Sequence, residues 1–368
     1  MIIEDESSLP DLARIGRSFD SSGDLSCVSL NESEHNECTD VTIEGATTLT
    51  PTCQQPSLPP LPTQTIIICI LACAIRNIPS IESLDEYATL ETFTRVFFEG
   101  VFSLHVITIF RLLIASIMLG QGATVFLWGF WEVDAAYLPG SKLTPAKSIR
   151  FRGALHPEGN LFSGLKCVSF FTLWCWFLEG VSFLVNGLIT LHHLVAPEQA
   201  LSPWIYRSAL IIWEIAAPSS ILVSTVVTYV IWPFALKQEG ETKRKILRSL
   251  KSNGALMQHN LNSVAALVEV TLMGRLPVVA SHFAIPLLYG IVYIMFTYSM
   301  AYSWTDKSKG PQFIYPVFDT TLGATVCSGV IAAFVIALLA SLSIFHSLEL
   351  LHPLVALGVT CITVCRFR

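Results

Sequence analysis

Residues 167–191, CVSFFTLWCWFLEGVSFLVNGLITL, constrain this chain more than any other stretch. The run is long enough to cross a bilayer, because a spanning helix needs about 20 mainly apolar residues. It also carries Thr172, Glu179 and Asn186 at intervals of seven. Seven residues is close to two helical turns, so the three side chains fall on one stripe that drifts only about 20° per step. A carboxylate at the bilayer centre costs roughly 2.5–3.5 kcal/mol on insertion scales and normally faces a bundle interior or a wet cavity. The stripe is therefore predicted to point inward.

Other segments repeat the apolar pattern. The 368 residues are 52% hydrophobic and only 14% charged, with a mean hydropathy of +0.58. That balance belongs to a multi-span membrane protein and excludes a soluble domain with a polar surface. The net charge of −6 is unevenly spread: the first fifty residues hold eleven acidic and two basic side chains, leaving the remainder mildly basic. No basic block interleaves with aromatics, which argues against a nucleic-acid partner. Ten cysteines show no CxxC or Cys/His spacing of zinc type. Cys27, Cys38 and Cys53 could pair if the N-terminal tail is extracytoplasmic.

Residues 1–64 read as a disordered acidic tail, with too little apolar surface to offset ordering entropy. The tail has no positive n-region of a cleaved signal peptide, and Asn31-Glu-Ser is a glycosylation sequon. The apolar run at 66–75 is too short to span alone. Residues 65–111 are expected to form an interfacial segment in which 86–111, with Glu99, His105 and Arg111, is an amphipathic helix leading into the first span. The membrane domain is expected at 112–345. Its six spans fall at 112–131, 167–191, 209–235 (with a kink at Pro218), 256–273, 284–304 and 322–345. Residues 346–368 form a short apolar C-terminal segment, and a seventh span if 350–365 crosses. The predicted fold class is thus an all-α, polytopic membrane helical bundle of six spans, or seven. Lys243, Arg244, Lys245, Arg248 and Lys251 place the third-to-fourth connection on the cytoplasmic side, with both termini opposite.

Two spans carry chemistry. On a 100°-per-residue wheel, His259, Asn262, Ser263 and Glu269 of the fourth span fall within about 120° of one another. One helix thus offers a hydroxyl and a carboxylate, another an imidazole with amide, hydroxyl and carboxylate neighbours. A threonine hydroxyl is a weak nucleophile until a base takes its proton, and histidine is the common base. Attack by Thr172 on an ester carbonyl would give an acyl-threonine that water hydrolyses. A site buried in lipid would take a lipid as substrate. Asn262 is placed to orient the imidazole, while Glu179 and Glu269 would polarise the cavity and Asn186 would extend the polar stripe.

Metal chemistry competes with this reading. His192, His193, His259, His282, Glu179, Glu214 and Glu269 could supply ligands. But the chain has no HxxxH, HxxHH or HExxH, and adjacent histidines on a helix point about 100° apart. Neither metal nor cofactor is expected. Glu214 is expected to pair with Arg207, seven residues before it.

Three stretches together resemble the androgen-induced membrane-protein family, six-span hydrolases of fatty acid esters of hydroxy fatty acids related to the rolling-stone proteins. Phe171-Thr172-Leu173 followed by Trp174-Cys175-Trp176-Phe177-Leu178 looks like the segment holding the family's threonine nucleophile. Gln258-His259-Asn260-Leu261-Asn262-Ser263-Val264, with Glu269 ten residues after the histidine, resembles the segment of its catalytic histidine. Ile314-Tyr315-Pro316-Val317-Phe318-Asp319 resembles a Tyr-Pro-aromatic signature near the sixth span. The resemblance covers about residues 110–345 and implies Thr172 as nucleophile and His259 as base. The family's His-x-x-His is reduced here to one histidine, preceded by Leu256-Met257-Gln258. The acidic tail, the segment at 65–111 and the long first loop are additions. The implied activity is intramembrane hydrolysis of lipid esters at the endoplasmic reticulum or plasma membrane, with membrane lipids as partners. The competing reading is a non-catalytic scaffold or lipid-binding protein of the rolling-stone type.

Overall fold

A computed structural model describes residues 58–98, 100–128, 130–133, 160–301, 303, 314, 315, 318 and 323–366. Most of the tail with its sequon and three cysteines, Glu99, and the loop bearing Lys142, Lys147, Arg150 and Arg152 lie outside the described residues.

The protein is an all-α bundle. Among the described residues five helices are long and apolar enough to cross a membrane: α4 (Leu104–Trp128), α5 (Phe171–Val195), α6 (Pro203–Val226) continuing to Lys237, α11 (Ala284–Ser299) with the turn before it, and α12 (Ala324–Leu350). A sixth candidate is a bent pair, α1 (Leu61–Arg76) followed by α2 (Ile81–Tyr87) and α3 (Leu90–Thr94), turned by 71° at the break. Helices dominate because a bilayer offers no water to satisfy backbone groups, so each crossing segment must bond to itself. Among the described residues the only strands are β1 (Phe130–Val133) and β2 (Asn160–Ser163), antiparallel with Phe130 opposite Ser163 and Val133 opposite Asn160.

Residues 86–111 are not one amphipathic helix. Ser80 caps α2 by accepting from the Ser83 amide, and Thr89 caps α3 by accepting from the Thr92 amide, so the chain restarts twice. The first span then begins at Leu104, not at 112, and takes His105 and Arg111 into the membrane helix. The run at 66–75 belongs to α1, which opens with a proline in its first turn.

The expected fourth span is a continuous helical run made of α9 (Asn253–Leu256), a π turn (Met257–Leu261) and α10 (Asn262–Thr271). It is too polar to stand among the five apolar helices, because its Gln258, Asn262, Ser263 and Glu269 face the interior. Of the five, α6 is the most enclosed and α12 the least. α6 runs unbroken through Pro218, then passes a π turn at Val227–Ile231 into α7 (Trp232–Lys237). α8 (Gly240–Leu250) follows, packing Ile246, Leu247 and Leu250 around Trp232 and exposing Arg244 and Arg248. α13 (Pro353–Arg366) closes the described chain against α10.

The contacts also fix which ends meet. His282, just before α11, bonds to Glu214 in the first half of α6, so these helices start at one end of the bundle and finish at the other, beside the basic α8. α12 starts at the basic end, and Thr63 of α1 reaches its first turns through Ala324 and Ser328. Residue 61 therefore stands at the basic end, opposite to the sequence expectation, because α1 is an additional helix packed on α11 and α12.

Candidate functional site

The stripe on α5 faces inward as its spacing demands. Glu179, Ser182, Asn186 and Thr190 are fully buried and Thr172 is half-buried. Asn186 donates to the Ser182 hydroxyl at 3.3 Å, and Thr190 bonds back to the Gly187 carbonyl at 2.9 Å. Both carboxylate oxygens of Glu179 lack a protein partner, as does the Asn186 side-chain oxygen.

Thr172 lies in the first turn of α5 against Tyr315. The Phe171 amide donates to the Tyr315 hydroxyl at 3.2 Å, and the same phenol hydrogen-bonds Thr172. Burial pushes the Tyr315 phenol up to about 12, so it stays protonated and can donate. Two of the three family-like stretches thus meet here.

His259 sits on the π turn before α10, half-buried, with Nδ1 unpartnered. A π turn leaves backbone groups out of the regular ladder and recurs at functional sites. Here the freed His259 carbonyl accepts from Ser224 Oγ of α6. Ser224 and Ser263 hydroxyls stand 2.5 Å apart, and Ser263 donates to the Ser220 carbonyl at 2.7 Å. These bonds stitch the turn to α6. Ser263→Ala is expected to lower stability by about 0.6–1 kcal/mol. It should also speed amide exchange around 259–262, read by hydrogen–deuterium exchange.

The other predicted residues part company with the imidazole. Asn262 is buried, but its Oδ1 accepts from the Ser263 amide at 2.8 Å and its Nδ2 has no partner, so it does not hold the ring. Glu269 pairs with Arg111 of α4, with Nη2 to Oε1 at 2.5 Å and Nε to Oε2 at 3.3 Å. Thr172 and His259 share no hydrogen bond. Phe177 meets Gly122, Gly180 meets Met118 and Leu119, and Gly254 meets Gln121, which sets α9, just before the π turn, at the level of residues 177–180 of α5. That level is one to two helical turns beyond Thr172.

A different trio is joined. Glu214 of α6 contacts His282 Nδ1 through Oε1 at 2.8 Å and Oε2 at 3.0 Å, and His282 Nε2 lies 3.0 Å from Ser83 Oγ of α2. Glu214 also accepts from the Val279 amide at 3.2 Å. Glu214 and His282 are fully buried; Ser83 is half-buried. Arg207 does not pair with Glu214: it makes a two-bond pair with Asp85, at 2.6 and 2.8 Å. Sequence reasoning placed Glu214 inside an apolar span, a signal that it needs a partner, and named His282 only among the candidate metal ligands. Nothing marked Ser83. Among the described residues no three His, Cys, Asp or Glu side chains gather as metal ligands.

Comparison with known proteins finds no matching family, no matching curated protein and no matching solved structure.

Proposed function

We propose that this protein is a membrane-embedded hydrolase of lipid esters such as fatty acid esters of hydroxy fatty acids, in the endoplasmic reticulum or plasma membrane. In this reading Thr172 is the nucleophile and His259 the base. The observation that carries it is the set of unpartnered polar groups inside an apolar bundle: both oxygens of Glu179, Nδ1 of His259 and Nδ2 of Asn262. Each such group costs roughly 1–3 kcal/mol when left unsatisfied, and ionisable residues at membrane depth mark functional paths.

The chemistry follows from what the groups hold. Tyr315 and the Phe171 amide hold the Thr172 hydroxyl in place at the start of α5, and its proton must pass to a base as Oγ1 attacks. The unpartnered Nδ1 of His259 is the acceptor in reach of the interior. Transfer requires the bound ester to bring the ring and Thr172 together across the one to two helical turns that separate their levels. Cleavage then proceeds through an acyl-threonine that water hydrolyses, and the chemistry needs no cofactor. A non-catalytic lipid-binding role is the second reading, favoured by the absence of a Thr172–His259 bond.

The test is ester hydrolysis by the purified full-length protein in lipid nanodiscs. Thr172→Ala and His259→Ala are expected to lower turnover on the order of 10²–10⁴-fold, with Thr172→Ser retaining activity. Full activity in Thr172→Ala defeats the threonine mechanism. Ester binding without cleavage by wild type establishes the lipid-binding role.

A further inference from the structure

We propose that Ser83, His282 and Glu214 form a separate nucleophilic centre that cleaves acyl esters of membrane lipids at the bilayer surface. It stands on its own geometry and does not depend on Thr172.

The three side chains carry the order that acyl transfer needs: nucleophile, base and a carboxylate behind the base. Glu214 accepts from the Val279 amide while holding His282 Nδ1, so the carboxylate acts as acceptor and Nδ1 carries the ring proton. That tautomer, assigned from the network, leaves the Nε2 lone pair facing Ser83 Oγ at 3.0 Å. The base cannot swing away freely. It sits in a short 3₁₀ turn, Ala280–His282, whose last amide donates to the Val279 carbonyl, and the Tyr87 ring packs edge-on against it at 5.8 Å. The carboxylate and imidazole are sealed from solvent, and the serine is the member that a substrate can reach.

Depth selects the substrate. Asp85, two residues beyond Ser83, makes its ion pair with Arg207 where both are open to solvent. Ile78, Ile81 and Trp204 nearby are more than half exposed. Exposed apolar and aromatic groups beside a solvated ion pair mark the membrane–water boundary. A lipid whose ester carbonyl lies at that depth, with its acyl chain in the hydrocarbon, meets the serine; acylglycerols and phospholipids have this form. Ser83 also stands at the end where α6 begins, opposite the basic α8, and the positive-inside rule makes that the extracytoplasmic face. Thr172, in the first turn of α5, belongs to the other half of the bundle.

The reaction balances without an outside reagent except water. Ser83 Oγ attacks the ester carbon as its proton passes to His282 Nε2. The tetrahedral intermediate breaks its bond to the alkoxy oxygen, which takes that proton and leaves as the alcohol. Water then attacks the acyl-serine carbon, gives a proton to Nε2, and the proton returns to Ser83 Oγ as the fatty acid departs. Glu214 is a positioning residue: it holds the tautomer and faces the imidazolium that forms.

The experiment is labelling of the full-length protein in lipid nanodiscs with a fluorophosphonate, followed by intact mass and peptide mapping. One adduct on the peptide containing Ser83 is expected. Ser83→Ala should remove it, and Thr172→Ala should leave it in place. Glu214→Gln should slow the limiting rate of labelling by on the order of 10³-fold, with the half-saturating probe concentration unchanged, a split that simple loosening of the fold would not give. Thermal unfolding of each variant guards against misfolding. An adduct that survives Ser83→Ala, or no adduct on wild type, overturns the proposal and makes the trio a structural clamp between α2, α6 and α11. An adduct on Thr172 alone overturns it and supports the threonine reading. An adduct on Ser83 alone upholds it and removes Thr172 as an activated nucleophile.

Discussion

Arg111→Ala is expected to destabilise the bundle by about 3–5 kcal/mol, the range found when one partner of a buried ion pair is removed. Arg111 is fully buried in the first span, and three of its nitrogens are used. Nη2 and Nε hold Glu269, and Nη1 donates to the Phe93 carbonyl at 2.7 Å. The alanine variant would leave Glu269 charged and alone inside the protein. Gly274 belongs to the same arrangement, since a β-carbon there would run into the Arg111 guanidinium and come within 2.7 Å of Glu269 Oε1. Arg111→Lys should rescue little, because a single ammonium cannot reproduce the planar fork. Arg111→Met combined with Glu269→Leu should recover most of the loss, as paired replacement of buried ions by apolar groups usually does. Denaturation in mixed micelles across this double-mutant cycle provides the measurement. A loss below about 1 kcal/mol in Arg111→Ala would mean that water reaches the pair and that it does not lock α3, α4 and α10 together.

That pair also explains which parts of the fold could be read from the chain. Long apolar runs identified the spans because the bilayer sets their length, and the seven-residue spacing identified the buried face of α5 because helical geometry alone decides it. Arg111 looked like a boundary for the opposite reason. Its partners, Glu269 of α10 and the Phe93 carbonyl of α3, lie 158 and 18 residues away, so local hydropathy saw a bare charge where the fold has a satisfied one. The fourth helical run was legible despite its polar residues, but not the ion pair through which Glu269 holds it to the first span. The site was legible in part. Glu179 and Asn186 are buried on the inward stripe that the seven-residue spacing predicts, while Thr172 and His259 are half-buried. Their partners were not legible, since Thr172 bonds Tyr315, Ser263 bonds α6 and Arg207 bonds Asp85. Ser83, Glu214 and His282 meet only because α2 folds back over the start of α6 and α11, and no local pattern encodes that turn.

Trp176→Ala is expected to destabilise the protein by about 3 kcal/mol, at the low end of the range for an aromatic removed from a core. The low end applies because lipid is as apolar as the interior, so the loss comes from packing and not from transfer out of water. Trp176 is fully buried at the seam of α4 and α5, and its indole N–H donates to the Met118 carbonyl at 2.7 Å. One turn along, Gly180 lets the helices close until a β-carbon there would stand 3.1 Å from that of Met118. The seam cannot collapse into the space the indole leaves, because the next turn is already in contact. Trp176→Phe keeps most of the volume and loses the hydrogen bond, so its penalty should be nearer 1 kcal/mol. Because α5 presents Thr172 and Glu179 from the same turns, Trp176→Ala should also weaken any reaction that uses them. Labelling at Ser83, which α2 presents at the far end, should keep its wild-type rate in that variant. A parallel loss at both places would show that the bundle opens as one unit, and an unchanged stability would show that α4 and α5 are held by Gly180 and Gly187 without the indole.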